Sequence, residues 1–490
     1  MPPEAGPSAF FSGCSCRALT MTATEPPTRT EKDSLGPKEV PQSAYYGVQA
    51  LRAKENFPVS GLSLPPELVR AYALIKLACC EANERLGVLD AERARAIAQA
   101  AREVADGRFA DQFIVDVFQA GAGTSTNMNV NEVLANRALE ILGKPKGDYA
   151  YLSPNDHVNR GQSTNDTFPT ALNLSSLFAL GEVESALVRL VQALETKAKE
   201  FEGLPKAGRT HLQDAMPVTL GSEFQAYAST LRRVLEALPH VKEDLGEVAL
   251  GGSAVGSGIN TKVGFRNLSV ERLSALAKVP LRAARDPFET MQSRRAASEA
   301  SAWLRSAAVE LTRIANDLRL LTSGPATGLD EIRLPEVQPG SSIMPGKVNP
   351  SMVECLNQVC FHVIGSDLAT SLASQAGQFE INVMMPVMAF EVLFSCRLLS
   401  NFLPVFAERC VAGIRPNPQR MEHYLLSSHA LATVLTPRLG YLKVAEVIKK
   451  AAASGMNPRD YLVKEGILSA QEAEEFLGLK ALIAMARPVA

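Results

Sequence analysis

The sequence predicts a mainly α protein built on a long helical bundle. Apolar residues recur at three-and-four spacing over long stretches, the period of a helix buried along one stripe. Aromatic residues are only 6% of 490, with a single Trp, and few β-branched alternations interrupt the helical pattern. With 46% hydrophobic and 21% charged residues, the chain has the composition of a globular protein with a large core. Fifty Lys and Arg against 52 Asp and Glu leave a formal charge of -2. That balance argues against a nucleic-acid partner or a membrane-surface binder. No uncharged apolar run reaches the length that spans a bilayer, so no membrane partner is expected. Eight cysteines are too sparse for a disulfide scaffold and lack zinc-site spacing; reduced thiols in a cytoplasmic protein are expected.

Taken in order, residues 1–27 are rich in Pro, Gly and Ser without a basic segment, and predict a disordered extension rather than a signal peptide. Met21 is an alternative start. Residues 28–60 mix charge, Pro and aromatics and predict irregular structure with a short hairpin. Pro65 to Ala105 reads as helical. Between Gln119 and Gln162, Gly, Ser, Thr and Asn crowd two polar stretches around one short helix, Glu132–Leu142; such stretches predict surface loops or a site. Leu180, Val183, Leu187, Leu190 and Leu194 then mark a long helix. Leu304, Ala308, Leu311, Ala315, Leu318 and Thr322 mark another within 286–323. Similar helices are expected over Thr219–Leu238, Pro350–Leu372 and Met385–Cys410, with Gly251–Gly258 as a tight turn between helices. Val359–Ile364 is apolar all round, which an oligomer needs and a lone bundle does not. Arg415-Pro-Asn-Pro breaks the pattern and opens a small C-terminal unit. There Lys443–Ala453 is a helix stopped by Gly455, and Ser469 with Glu472 forms a capping box for the last helix.

Four polar segments could carry chemistry. Pro339-Gly-Ser-Ser-Ile-Met-Pro-Gly-Lys-Val-Asn-Pro350 is not a nucleotide loop. Five residues rather than four separate Gly340 from Gly346, and Val348 stands where a Mg²⁺-binding hydroxyl is required. It leaves two hydroxyls, an ammonium and an amide before a long helix, which suits an anionic ligand. Gly208-Arg-Thr-His-Leu-Gln-Asp-Ala215 puts His211, one of six histidines, in a polar turn, where it is either structural or catalytic. Asn155–Asp166 ends in Ser163-Thr164-Asn165, and Gly121–Asn131 offers a similar array of neutral donors; such clusters are often helix caps. From the residues alone this is an anion site of hydroxyls, amides, one Lys and a His, with no cofactor and no metal ligands. The reaction stays unnamed.

Read together, the ordered segments GTSTNMN, QSTND, THLQDA and GSSIMPGKVNP resemble the aspartase/fumarase superfamily, over about Thr30 to Leu477. Within it the chain resembles the aspartate-deaminating members. Fumarases carry Ser at the position of Ala122 and Ser-Ser-Asn where this chain has Ser163-Thr164-Asn165. The resemblance implies a three-domain, mostly helical protomer (28–163, 164–414, 415–490) whose central bundle assembles into a multi-helix homotetramer, with sites shared by three subunits. It implies reversible deamination of L-aspartate to fumarate through an enediolate, the alternative being hydration of fumarate. Ser341 is then the base, with Lys347 and backbone N–H groups lowering its pKa. Lys347, Asn349, Thr210 and His211 face the carboxylate that becomes the enediolate, and Glu354 orients His211. Thr124, Ser163, Thr164 and Asn165 hold the α-carboxylate and ammonium. No cofactor is implied, and the partner is a small dicarboxylate.

Overall fold

The computed structural model describes residues 27–486; the expected extension lies outside them except for Pro27. The chain opens with an antiparallel hairpin of β1 (Thr28–Asp33) and β2 (Gly36–Pro41), with Thr28 opposite Pro41. Helix α1 (Val48–Asn56) follows. Two buried carboxylates hold its N-terminus, where the helix dipole favours negative charge. Glu132 accepts from the N–H groups of Gly47, Gln49 and Ala50, and Glu31 accepts from Val48. Burial, with Glu31 nearby, pushes Glu132 up to about 8 against those N–H donors. Helices α2 (Pro66–Arg85) and α3 (Ala91–Ala105) pack together. A Pro at the first position of α2 and Asp90 accepting from the Arg93 N–H at 3.0 Å define where the two begin.

The next helix corrects the sequence reading. α4 runs from Thr124 to Ile141, not from Glu132, and the polar stretch before Glu132 lies inside it. Asn127, Asn129 and Asn131 are almost fully buried. Asn129 donates to the Gln112 carbonyl and accepts from the Ile114 N–H, both at 2.9 Å. A helix whose buried face carries amides in place of aliphatics has no apolar stripe for a periodicity argument to find.

The bundle consists of α5 (Thr164–Glu200), α6 (Leu220–Leu245), α9 (Arg295–Leu321), α10 (Ser351–Gln375) and α11 (Met385–Arg409). Short α7 (Phe265–Ala277) and α8 (Pro287–Gln292) lie in the connection from α6 to α9. The expected stripes on α5 and α9 face the core, apart from half-buried Thr322 at the end of α9. α11 lies against both α5 and α10. By length and composition Met385–Gly413 could cross a membrane, but in the bundle it is a core helix. Two of its charges bond to neighbouring elements: Ser366 donates to Glu391 at 2.6 Å and Arg397 to Glu67 at 3.0 Å. Between α5 and α6 a second hairpin, β3 (Pro205–Thr210) and β4 (Gln213–Thr219), extends from the bundle.

One apolar core joins the N-terminal helices to the bundle, and a second gathers residues between Leu425 and Leu482 around Ala207 of β3. The Ser469–Glu472 capping box is present, but its helix, Ala470–Leu477, is followed by another, Leu479–Met485. Gly251–Gly258 is part of a longer loop between α6 and α7 rather than a tight turn. The six described cysteines are free, and all but Cys355 are buried.

Contact between α4 and α5 depends on Gly123. Its φ is +78°, and an added Cβ would sit 1.9 Å from the Phe168 ring. Gly123→Ala should therefore lower stability by about 2 kcal/mol or more in denaturant unfolding, combining left-handed strain with overpacking.

Candidate functional site

The expected site residues fall into three groups, and the helices set how far apart they are. The first group gathers at the N-termini of α4 and α5. Thr124 opens α4, and Ser163 is the N-cap of α5, accepting from the Asn165 N–H at 3.2 Å. Asp166 completes a capping box by accepting from the Ser163 N–H at 3.0 Å. Its other oxygen accepts from the N–H groups of Gly251 and Ser253 at 3.0 and 2.9 Å, while Asn165 donates to the Ala254 carbonyl at 2.8 Å. The glycine-rich loop thus clamps the first turn of α5. Burial pushes Asp166 up to about 6, against these N–H donors and the charge of Lys76.

Lys76 was missed in the sequence. It sits in the apolar run Ala71–Cys80 of α2, fully buried, and no motif marks it. Its Nζ donates to Asn127 Oδ1 at 2.7 Å and to Asn159 Oδ1 and Gln162 Oε1 at 2.9 Å. Three acceptors call for the three hydrogens of an ammonium; burial pulls its pKa down to about 7, while Cys79 and Asp166 act the other way. With Asn127 Oδ1 taken by the lysine, Asn127 Nδ2 donates to Thr164 Oγ1 at 3.0 Å. Because Thr164 Oγ1 accepts that bond, its own hydrogen is directed elsewhere, as a donor to an anion must be. The only sequence signal was a charge standing alone among apolar helical residues.

The second group is at the tip of the β3–β4 hairpin. His211 and Leu212 form a two-residue turn with φ of 56° and 59°, the left-handed pair that a tight hairpin requires. Thr210 and His211 are exposed. The hairpin base is anchored by buried Glu331, which takes Lys206 at 2.8 Å and both arms of Arg209 at 2.9 and 3.0 Å. Glu331 lies in the segment that leads into the third group.

That group is the loop before α10. Ser341 Oγ accepts from the N–H groups of Ile343 and Met344 at 3.3 and 3.1 Å. The loop is closed by the Ser341 N–H on the Lys347 carbonyl at 3.0 Å. Gly340 makes the closure possible: its φ is +61°, and a Cβ there would lie 1.8 Å from the Lys347 oxygen. Lys347 is exposed, and half-buried Asn349 precedes Glu354 in the first turn of α10. Among the described residues the side chains of Thr124, Thr210, His211, Lys347, Asn349 and Glu354 have no hydrogen-bond or ion-pair partner, and none joins Glu354 to His211.

The first group is far from the other two. α5 is 37 residues long, about 55 Å at the helical rise. Ser163–Asn165 stand at its start, while the hairpin continues from its end, with Leu220 N–H bonded to the Leu204 carbonyl. In a single chain, Ser163–Asn165 and the hairpin stand at opposite ends of one rod.

A bundle of this kind, with polar clusters suited to a small anion, matches a family of lyases. The family model described as Lyase covers residues 36–365, and that of the fumarase C C-terminus covers 431–484. An aspartate ammonia-lyase from a Bacillus species is 45% identical over 449 residues, 92% of this chain and 96% of its own. A class II fumarate hydratase from Bradyrhizobium diazoefficiens is 44% identical over 461 residues, 94% and 97% of the two chains. The crystal structure of a fumarate lyase:delta crystallin from Brucella melitensis, bound to cobalt, is similar with a TM-score of 0.91. It is 47% identical and covers 94% of this chain and 100% of its own. The chain belongs to the aspartase/fumarase superfamily of lyases.

Replacing Lys76 by Met leaves three buried amide oxygens without their donor. The variant should lose on the order of 3 kcal/mol in denaturant unfolding at neutral pH. The wild type should carry a pH slope that the variant lacks. From about pH 7 to the free lysine range near ~10.4, the unfolded chain holds the proton that the folded chain releases. Wild-type stability therefore rises with pH through that window, and falls as pH drops through 7.

Proposed function

We propose that the protein catalyses reversible anti elimination of ammonia from L-aspartate, giving fumarate, at sites assembled from three subunits of a homotetramer. The observation that carries the reading is the pair of backbone N–H groups on Ser341 Oγ. A serine hydroxyl is a poor base unless its oxyanion is stabilised; two fixed donors, with Lys347 in the same loop, favour that form. The Ser341 oxyanion takes a proton from Cβ, and the C–H electron pair moves into the neighbouring carboxylate, making an enediolate. Lys347, Asn349, Thr210 and His211 stabilise its second negative charge, the larger part of the catalysis, and Glu354 orients His211 across an interface. The enediolate then collapses to the Cα=Cβ double bond, and the Cα–N bond breaks with its electron pair leaving on ammonia. Thr124, Ser163, Thr164 and Asn165 hold the α-carboxylate and the ammonium until then.

Shared sites are supported by the separation of the three groups and by their unpartnered side chains. They are supported also by the outer face of α10, where Phe361, Leu368 and Leu372 are 58%, 62% and 53% exposed. An apolar stripe of that length on a core helix suits burial against another copy. Ammonia rather than water as leaving group is supported by Ala122 and Thr164, which stand where fumarases resembling this chain carry serine. The hydratase reading keeps one argument, the nearly equal identity to the class II fumarate hydratase.

Fumarate absorbance followed in parallel with L-aspartate and L-malate, in EDTA at neutral pH, separates the two. Turnover of aspartate is expected; strong malate turnover with none on aspartate would assign the hydratase instead.

Site sharing predicts rescue between inactive variants. Ser341→Ala and Asn165→Ala chains should each be inactive alone. Refolded together in equal amounts, they should recover about a quarter of wild-type activity, since random assembly leaves about one site in four free of both lesions. Activity no higher than that of the separate variants, in tetramers shown to be mixed, would place the site within one subunit.

A further inference from the structure

Behind the first turns of α5, between the end of α6, α8 and the start of α9, lies a cavity of about 90 Å³. Arg294, the N-cap of α9, lines it and is 6% exposed. Its Nε and Nη2 have no hydrogen-bond partner, and no carboxylate among the described residues forms an ion pair with it. The nearby acids are engaged elsewhere. Asp244 takes Arg295 at 2.6 Å, and Glu247 takes Arg282 at 3.0 Å and the Arg285 N–H at 2.8 Å. Glu289, on the rim, is exposed and forms no ion pair, but its charge acts on Arg294 and Arg295. Ala296 and Ala297 line the cavity in the first turn of α9, where N–H groups have no carbonyl within the helix.

A guanidinium remains charged at any working pH, and burying it without a carboxylate bonded to it is costly. Burial does pull Arg294 down, to about 10, which still leaves it cationic at neutral pH. A forked cation beside a helix N-terminus, in a space this small, has the chemistry of an oxyanion receptor.

We propose that this cavity is a binding site for a small oxyanion, a carboxylate or inorganic phosphate, held by Arg294 and by the N–H groups of Ala296 and Ala297. It is separate from the three groups described above and does not depend on which substrate they take. Pro169 and Asn173 of α5 form part of its wall, so an occupant also braces the helix whose first turn carries Thr164 and Asn165.

The test is thermal unfolding of the full chain titrated with sodium phosphate or sodium acetate, at ionic strength held constant by a bulky sulfonate salt. Wild type should show a saturable upward shift of a few degrees with one or both anions; phosphate alone or acetate alone names the source. Arg294→Met should show no saturable shift. Glu289→Gln should bind several-fold more tightly, because a like charge has left the rim. An equal response of wild type and Arg294→Met, or one that never saturates, would mean only a general salt effect and overturn the proposal. Should Arg294→Met not fold, Glu289→Gln decides: a midpoint unmoved from wild type overturns it.

Discussion

The length of α5 is the constraint on which the rest of this molecule hangs. A helix of 37 residues is a rigid rod, and polar groups gather at each end of it. Its first turn carries Ser163, Thr164 and Asn165; beyond its last turn the hairpin carries Thr210 and His211. No side-chain motion spans about 55 Å. Within one chain, groups at the two ends of this rod cannot meet on one small ligand. The apolar outer face of α10 and the unpartnered polar tips are what the proposed assembly would cover.

Order at the first end of the rod comes from a buried polar network rather than from apolar packing. Lys76 aligns three amides, one of those amides aligns Thr164, and Asp166 gathers backbone N–H groups from the cap of α5 and from the glycine-rich loop. Such a network is costly when incomplete and rigid when complete. Rigidity is what a site needs if a hydroxyl must present its hydrogen rather than its lone pairs to an anion. The opposite end works differently. A buried ion cluster at Glu331 secures the base of the hairpin, while the tip and the Ser341 loop project from it. There, two backbone N–H groups bond Ser341 Oγ within a loop whose closure only glycine at 340 permits.

Much of this was legible in the residues. The stripes on α5 and α9, the break after residue 414, and the polar turn at His211 follow from local rules of periodicity, capping and turn chemistry. The character of the Ser341 loop was legible too, because Gly, Pro, hydroxyls and an ammonium before a helix already specify an anion-binding turn. The resemblance of the four ordered segments to one superfamily agreed with the comparisons.

What the sequence could not disclose is where its polar residues are buried. The run from Gly121 to Asn131 reads as loop because its amides erase the apolar stripe, yet from Thr124 onward it forms the first turns of α4, with its amides bonded to partners 15 to 51 residues away in the chain. Lys76 and Arg294 are ordinary letters in the sequence; only packing makes one the hub of a network and the other a buried cation with no carboxylate bonded to it. Local patterns decide which segments become helices, since that free energy resides in neighbouring residues. Tertiary structure decides which polar groups meet, since a hydrogen bond depends on distance in space and not along the chain.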